Sequence, residues 1–428
     1  MGQGTATTSS CRALRAGGEM NATPARRLGL LGLTLAVVLV PATAPPRLLP
    51  SPAVPFTFQV ACDLQNTDVA DVSGTRYWRP GDPNSINAGW RRALGDALGD
   101  MRSHAAGATD LVICGDVPEG HWGIDRLHTG IFGPVDTVAH RLSAVRTAGA
   151  RIYSSNIARL RSFGYRTPFA AVGDHEVGDN PWDDSSWYSR FKRLHLTTWK
   201  DTWARYYTAS GTRFADHPVG SSFDRYAYAT LLSPQVLLVS VDELMRTSSR
   251  VVQRLGDREL GWLDATLTRA QAAGVPWVVV EGHFPVLLPV RARGSSRLRY
   301  AGGAGSAFWQ TLRRHHVDLY LAGEMHDTTA TVPGGGAPVQ LVSGGRMYAG
   351  QWDYVTATVQ GDRMTLVDRY FPNATVSRAH GYLWQTDRYR LVPAVVDYSQ
   401  PSRVRGSMTL APDGTVTNRT GDMTPYQP

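Results

Sequence analysis

Residues 168–176 read Pro168-Phe169-Ala170-Ala171-Val172-Gly173-Asp174-His175-Glu176. A short apolar run bounded by a turn residue reads as a buried strand. The glycine at its end frees the backbone to turn sharply. The three side chains that follow can each hold a cation or move a proton. Two carboxylates and an imidazole are thus expected just beyond a strand's carboxyl end, where open α/β sheets place their ligands.

The same construction occurs at three other places, and at a fourth, the run ending at Asp63, without the glycine. The run 56–62 ends at Asp63, and 111–114 ends at Gly115-Asp116. The run 277–280 leads into Glu281-Gly282-His283, and 317–321 into Gly323-Glu324-Met325-His326. Between them lie stretches with helical apolar spacing: 87–105 through Trp90, Leu94, Leu98 and Met101, then 134–149, a helix through Leu260, Leu263 and Leu267, and 306–315. A strand pair over 226–241 turns at Ser233-Pro234, and 338–342 and 353–369 read as further strands. Strands alternating with helices imply an α/β architecture with a layered sheet core, in which the five strand ends converge. No internal repeat interrupts this order.

Hydrolysing a phosphate ester near neutral pH requires a hydroxide, neutralisation of phosphoryl charge and stabilisation of the leaving oxygen. Two divalent metals about 3.5–4 Å apart supply all three, held by carboxylate oxygens and neutral imidazoles with one carboxylate shared. The blocks Asp63-Leu64-Gln65, Gly115-Asp116-Val117-Pro118, Gly173-Asp174-His175-Glu176, Gly282-His283 and Gly323-Glu324-Met325-His326 stand in this order along the chain. In order and strand context they resemble the calcineurin-like metallophosphoesterases, whose blocks are D-x-H, G-D-x-x, G-N-H-[DE], G-H and G-H-x-H. Leu260-Gly261-Trp262-Leu263 and Gly282-His283-Phe284-Pro285 are similar to phrases in secreted members. Any one block is weak, since Gly-Asp alone occurs nine times in the chain. Specificity comes from order and from the apolar run before each block.

The resemblance implies a layered αββα sandwich over residues 56–375. It implies a first metal on Asp63, Asp116 and His326, with Asp116 bridging, and a second on Asp174 and His283. His175 stands at the position of the family's proton-donating histidine, and a hydroxide activated by two metals would attack phosphorus in line. Three positions depart from the pattern. Gln65 stands where histidine is usual, Asp174 where asparagine is usual, and Glu324 where the first histidine of the last block is usual. Each still offers an oxygen, so Gln65 and Glu324 join the candidate ligands. Imidazole favours zinc and iron, whereas carboxylate and carbonyl oxygens favour magnesium, manganese or calcium. The second site is expected to prefer the harder cation, and the first to bind more weakly. The expected cofactors are two divalent ions from among Mn, Fe, Zn and Ca.

The chain has 428 residues, of which 42% are hydrophobic and 19% charged, enough for a large core without disulfide staples. Arg26-Arg27, an apolar run over 28–40 and Pro41-Ala42-Thr43-Ala44 have the form of a secretory signal, too short for a comfortable membrane span. Residues 1–44 are therefore expected to be removed on export to a secreted or cell-envelope location, with an uncleaved anchor as the alternative. Residues 45–55 read as a linker, and 376–428 as a C-terminal extension with a hairpin at Pro412-Asp413-Gly414. Setting aside residues 1–44 removes four arginines and one glutamate from a net charge of +8, leaving about +5. That balance suits a small anionic substrate and shows no dense basic block that would specify nucleic acid.

Cys62 and Cys114 fall within apolar runs, which favours free buried thiols over a bridge unless their strands are neighbours. Glu119, His121 and His128 lie in a loop that either faces substrate or is solvated. His315-His316 is expected at the surface, and Trp182, Trp187, Trp199 and Trp203 as packing in an insertion. Two enzyme readings remain, a phosphomonoesterase or phosphodiesterase and a nuclease or nucleotide phosphohydrolase of the same fold. The alternative from another class is a metal-poor relative that binds a phosphorylated or envelope ligand without turnover.

Overall fold

The computed structural model describes residues 54–65, 88–119, 122–125, 128, 130, 132–374, 376–385 and 388–427. The expected signal and most of the linker lie outside them, as does the loop at 66–86. In chain order the elements are β1 (Phe56–Val60), α1 (Ala88–Ser103), β2 (Asp110–Ile113), α2 (Val138–Ser162), β3 (Thr167–Ala170), α3 (Trp187–Leu194) and α4 (Leu196–Tyr207). There follow β4 (Tyr228–Ser233), β5 (Val236–Ser240), β6 (Leu244–Arg246), β7 (Val251–Gln253), α5 (Asp257–Ala272), β8 (Trp277–Glu281), α6 (Ala307–Arg314), β9 (Leu319–Ala322), β10 (Thr329–Thr331) and β11 (Val339–Val342). The chain ends with β12 (Asp353–Gln360), β13 (Arg363–Tyr370), β14 (Val376–Gln385), β15 (Arg388–Val396), β16 (Arg403–Leu410) and β17 (Val416–Gly421).

Two mixed sheets carry the fold, ordered β17-β16-β13-β12-β1-β2-β3 and β10-β11-β9-β8-β5-β4. Because side chains alternate across a strand, each central strand divides its apolar residues between two cores. Phe58, Val60, Val112 and Phe169 join Leu238, Val279, Leu319 and Leu321 between the sheets. The residues of opposite parity, Leu111, Ile113, Val278, Val280 and Tyr320, belong to the core shared with Leu98 of α1, Leu263 of α5 and Leu312 of α6. A sheet buried on both faces explains why these strands read as unbroken apolar runs rather than alternating ones. The result is the expected αββα sandwich.

Helix α2 runs past its expected end at 149. Thr137 caps its start, accepting from His140 N at 3.1 Å, and Ile152, Tyr153, Ile157 and Leu160 continue the buried face. Gly149 looks like a stop in sequence, but a Cβ there would lie 2.3 Å from Thr202 Cγ2 of α4. The glycine is a packing residue that lets two helices approach. The hairpin at Pro412-Asp413-Gly414 joins β16 to β17, and β16 pairs antiparallel with β13. Met408 and Leu410 enter the core between the sheets.

One expectation is corrected. Cys62 and Cys114 are not free thiols: they form a disulfide with Cα atoms 4.6 Å apart. β1 and β2 pair in parallel, Val60 beside Val112, so both cysteines leave neighbouring strands at the same level. Apolar patterning reveals that each is buried but not which strands are adjacent.

Candidate metal centre

The strand ends converge through backbone hydrogen bonds that continue beyond the regular strands. Asp63 N donates to Gly115 O at 3.3 Å and Gln65 N to Asp116 O at 2.8 Å; on the second sheet Gly282 N donates to Leu321 O at 3.1 Å and Gly323 N to His283 O at 2.9 Å. Five candidate ligands hold left-handed backbone conformations, with φ of 52° at Asp63, 41° at Gln65, 56° at Asp116, 69° at Glu324 and 57° at His326. Such conformations cost non-glycine residues energy and cluster at functional sites. The adjoining glycines leave room for the carboxylates. A Cβ on Gly173 would lie 2.3 Å from Asp116 Oδ1, and one on Gly323 would lie 2.5 Å from Asp63 Oδ1.

The seven candidate ligands are all buried. Ligand atoms of Asp63, Asp116 and His326 lie within 4.8 Å of one another, as do those of Asp174, His283 and Glu324, and those of Asp116, Asp174 and His175. His283 sits in the middle. Its Nε2 is 3.1 Å from Asp174 Oδ1, 3.3 Å from Asp116 Oδ1 and 3.7 Å from Glu324 Oε2. Its Nδ1 donates to Cys114 O at 2.6 Å, the bond that turns Nε2 toward the carboxylates. His326 Nδ1 likewise meets Arg293 O at 3.2 Å, and Gln65 Nε2 approaches His326 Nε2 at 2.9 Å. His175 Nε2 lies 3.6 Å from Asp116 Oδ2.

Burial drives the Asp63 carboxyl up to about 7, against the charge of His283. Burial and then the charge of Asp174 raise Asp116 and Glu324. Burial also opposes ionisation of Asp174, but the His175 charge and the His283 hydrogen bond outweigh it and hold that carboxyl below its usual range. Burial disfavours charge on His175 and His283, yet Asp116 and Asp174 push both upward, His175 to about 10. Burial and the His175 charge depress His326 to about 3, leaving it a neutral imidazole. Burial and mutual repulsion thus resist the ionisation of three of the four carboxyls in a dry interior.

Divalent cations fit this donor set. Asp63 Oδ2 and Gln65 Oε1 are buried acceptors without a hydrogen-bond partner, and native interiors rarely leave such atoms unsatisfied. Four carboxylates at close quarters call for cationic charge that the local side chains do not supply in full.

Several further residues hold the candidate ligands in place. Glu176 accepts from the backbone N–H groups of Asp116 (2.8 Å), Val117 (2.9 Å) and Gly173 (2.7 Å), tying two strand ends together. Glu243 does the same for His283 N (2.6 Å) and Phe284 N (2.8 Å), and accepts from Tyr320 Oη at 2.7 Å. Glu324 Oε1 accepts from Ser295 Oγ and Ser296 Oγ at 3.0 Å and from Leu298 N at 2.8 Å, leaving Oε2 toward His283. Trp122 Nε1 donates to His175 O at 2.6 Å. Glu176 stood inside a recognised block; Glu243 and the serines lie far from any block, and no local signal marks them.

The other candidates fall away from the centre or outside the described residues. Glu119 is buried and its charge reaches His175, His128 is exposed, and His121 is not among the described residues. His315 corrects a second expectation: it is buried, meeting Asp264 Oδ1 at 2.7 Å and Gln271 Oε1 at 2.9 Å, while His316 is exposed. The end of α6 packs against α5, which the pattern of α6 alone does not reveal. Trp182, Trp199 and Trp203 are buried packing, and Trp187 is exposed.

No family model and no curated protein matches the sequence. Among solved structures, the chain is similar to the structure of PhoD with a TM-score of 0.51 at 12% identity, over 88% of this chain and 74% of that one. It is also similar to purple acid phosphatase PPD1 from seeds of yellow lupin (Lupinus luteus), with a TM-score of 0.45 at 11% identity, over 89% of this chain and 58% of that one. At such identity the first likeness establishes a shared fold, and activity has to be argued from the site.

Proposed function

We propose that this chain, whose fold is that of the calcineurin-like metallophosphoesterases, is an exported metal-dependent hydrolase of small phosphate mono- or diesters. The observation that carries the reading is the convergence of Asp63, Asp116, Asp174, His283, Glu324 and His326 from five strand ends into one buried cluster, with Asp63 Oδ2 and Gln65 Oε1 unsatisfied inside it. Asp63, Asp116 and His326, with Gln65 beside them, would hold one ion; Asp174, His283 and Glu324 would hold the other, with Asp116 shared. Two divalent ions bound there would neutralise phosphoryl charge and make a water acidic enough to attack phosphorus at neutral pH.

The chain's own residues do the rest. Glu176 and Glu243 fix the strand ends, so the ligands need little rearrangement to receive cations. The Nδ1 contacts of His283 and His326 with backbone carbonyls leave each Nε2 as the coordinating atom. His175 is the candidate proton donor to the leaving oxygen, oriented by Asp116 through its backbone N–H at 3.0 Å. The Cys62–Cys114 disulfide directly precedes Asp63 and Gly115-Asp116, and it is consistent with folding in an oxidising compartment.

The test is turnover of p-nitrophenyl phosphate and bis(p-nitrophenyl) phosphate by stripped protein reloaded with Mn, Zn, Fe or Ca. Turnover should depend on metal, vanish in Asp116→Ala, and fall roughly 10²–10⁴-fold in His175→Ala. Folded protein that binds metal yet turns over neither ester would favour the second reading, a ligand-binding protein, which the Gln65 and Glu324 substitutions motivate. Export is tested separately by sequencing the mature N-terminus, which is expected close after Ala44.

A further inference from the structure

Arg346 follows the Gly344-Gly345 turn; at Gly344 a Cβ would lie 2.9 Å from Asp63 Oδ2. Its guanidinium ends against Gly294, where a Cβ would meet Nη2 at 2.5 Å, Cζ at 2.6 Å and Nη1 at 2.8 Å. Gly294 lies between Arg293, whose carbonyl meets His326 Nδ1 at 3.2 Å, and Ser295, whose hydroxyl donates to Glu324 Oε1 at 3.0 Å. The cation is therefore seated against the segment that supports candidate ligands of both ions. Its charge reaches His326, adding to the burial and His175 charge that keep that ring neutral.

Unlike Arg291, Arg293 and Arg405, Arg346 has no counter-ion among the described residues. Arg291 pairs with Asp422 at 3.7 Å, Arg293 with Asp327 at 3.3 Å, and Arg405 with Asp327, Asp353 and Asp422. Arg346 is half-buried and makes no ion pair among the described residues. Nη2 donates to the neutral Gln351 Oε1 at 3.1 Å, and Nε is buried without an acceptor. Leaving a guanidinium partly desolvated with no anion is costly, and its planar fork matches phosphate oxygens.

We propose that Arg346 binds the non-bridging oxygens of the scissile phosphate, and that the enzyme consequently prefers phosphate monoesters to diesters. The inference rests on the phosphoesterase reading above. A monoester phosphoryl carries three terminal oxygens and about −1.5 to −2 charge near pH 7, whereas a diester offers two terminal oxygens and a single charge. An additional cationic contact rewards the former.

The experiment compares wild type, Arg346→Gln and Arg346→Lys as metal-loaded full proteins. It reads the Kd of inorganic phosphate by calorimetry and kcat/KM on p-nitrophenyl phosphate and bis(p-nitrophenyl) phosphate, with Tm and bound metal as controls. Arg346→Gln should weaken phosphate binding roughly 10- to 100-fold and lower monoester kcat/KM by a similar factor. Diester turnover should change by only a few-fold, and metal content should stay the same. Arg346→Lys, which keeps a charge but not the fork, should fall between, and it carries the test if the glutamine variant loses Tm. Unchanged phosphate affinity and ester ratio in an active enzyme, or a wild type that prefers the diester, would overturn the role of Arg346 alone. A wild type inactive on both esters with every metal would overturn the reading beneath it.

Discussion

Two buried acidic clusters adjoin each other, joined by the step from His326 to Asp327, and they balance their charge differently. In the first, Asp63, Asp116, Asp174 and Glu324 face His175 and His283, whose affinity for a proton the surrounding carboxylates raise. In the second, Asp327, Asp353, Asp368 and Asp422 surround Arg405 of β16, with Arg291 and Arg293 on the outside. There Thr328 Oγ1 donates to Asp368 at 3.2 Å and Gly344 N to Asp353 at 2.6 Å; burial and the Asp353 charge push the Asp368 carboxyl well up. The arginine cluster carries its cations covalently. Both clusters hold a buried acceptor without a hydrogen-bond partner, Asp368 Oδ2 in the second and Asp63 Oδ2 and Gln65 Oε1 in the first. The ion pairs of the first, among the described residues, involve histidines and no arginine, the arrangement expected where charge is to be supplied by exchangeable ions.

The largest effect should come from removing that difference at the centre. Asp116→Asn is expected to abolish metal-dependent turnover, while leaving the Tm of chelator-treated protein unchanged or higher, because it relieves repulsion among crowded carboxylates. Wild type should gain stability on reloading, about 2.7 kcal/mol at a metal concentration 100-fold above Kd, and the variant should lose most of that gain. Calorimetric melts with and without metal check both. A large loss of Tm in chelator-treated Asp116→Asn would mean that the centre is a structural network like its neighbour.

The converse holds for Arg405. Replacing it by Met leaves carboxylates in a mostly buried site without their shared cation, and breaking such a network costs about 3–5 kcal/mol. Denaturant melts should show this loss whether or not metal is present. Activity of the remaining folded protein should fall far less than in Asp116→Asn, since the ion-pair partners of Arg405 are Asp327, Asp353 and Asp422, none of them a candidate ligand.

The two clusters also differ in how far the sequence reveals them. Four of the five ligand blocks are announced locally by an apolar run, a glycine and a polar residue, and the Asp63 block by the run alone, because a buried strand must end in a tight turn for its side chain to face the next strand end. Glu243 and Ser295 act on His283 and Glu324 across long sequence separations, and their own neighbourhoods hold no such pattern. The arginine cluster draws on 291, 293, 327, 353, 368, 405 and 422, of which 353, 368 and 405 are brought together by the pairing of β12, β13 and β16 and the rest come from loops. The disulfide was hidden for the same reason. Local periodicity reports burial, and only tertiary adjacency reports partners. The positive φ at five candidate ligands has no sequence mark either, since Asp, Gln, Glu and His do not advertise it as glycine does.

The smallest effect sharpens the comparison through pH. Burial pushes the Asp353 carboxyl up to about 7, only partly offset by the Arg405 charge, against an unfolded value of about 3.9. A carboxyl whose folded value lies above its unfolded value binds more protons in the native state across that interval. Its stabilising contribution is therefore full below the unfolded value and declines as pH rises from about 4 through about 7. Chelator-treated Asp353→Asn should accordingly show a shallower fall of Tm over that window than wild type, with the two proteins diverging most at the alkaline end. The residual slope in the variant belongs to Asp63 and Asp116, which burial also raises. Metal should suppress that residue, because bound cations favour the ionised carboxylates, whereas it should leave the Asp353 component in place. Equal suppression of both components by metal would show that the two clusters titrate as one.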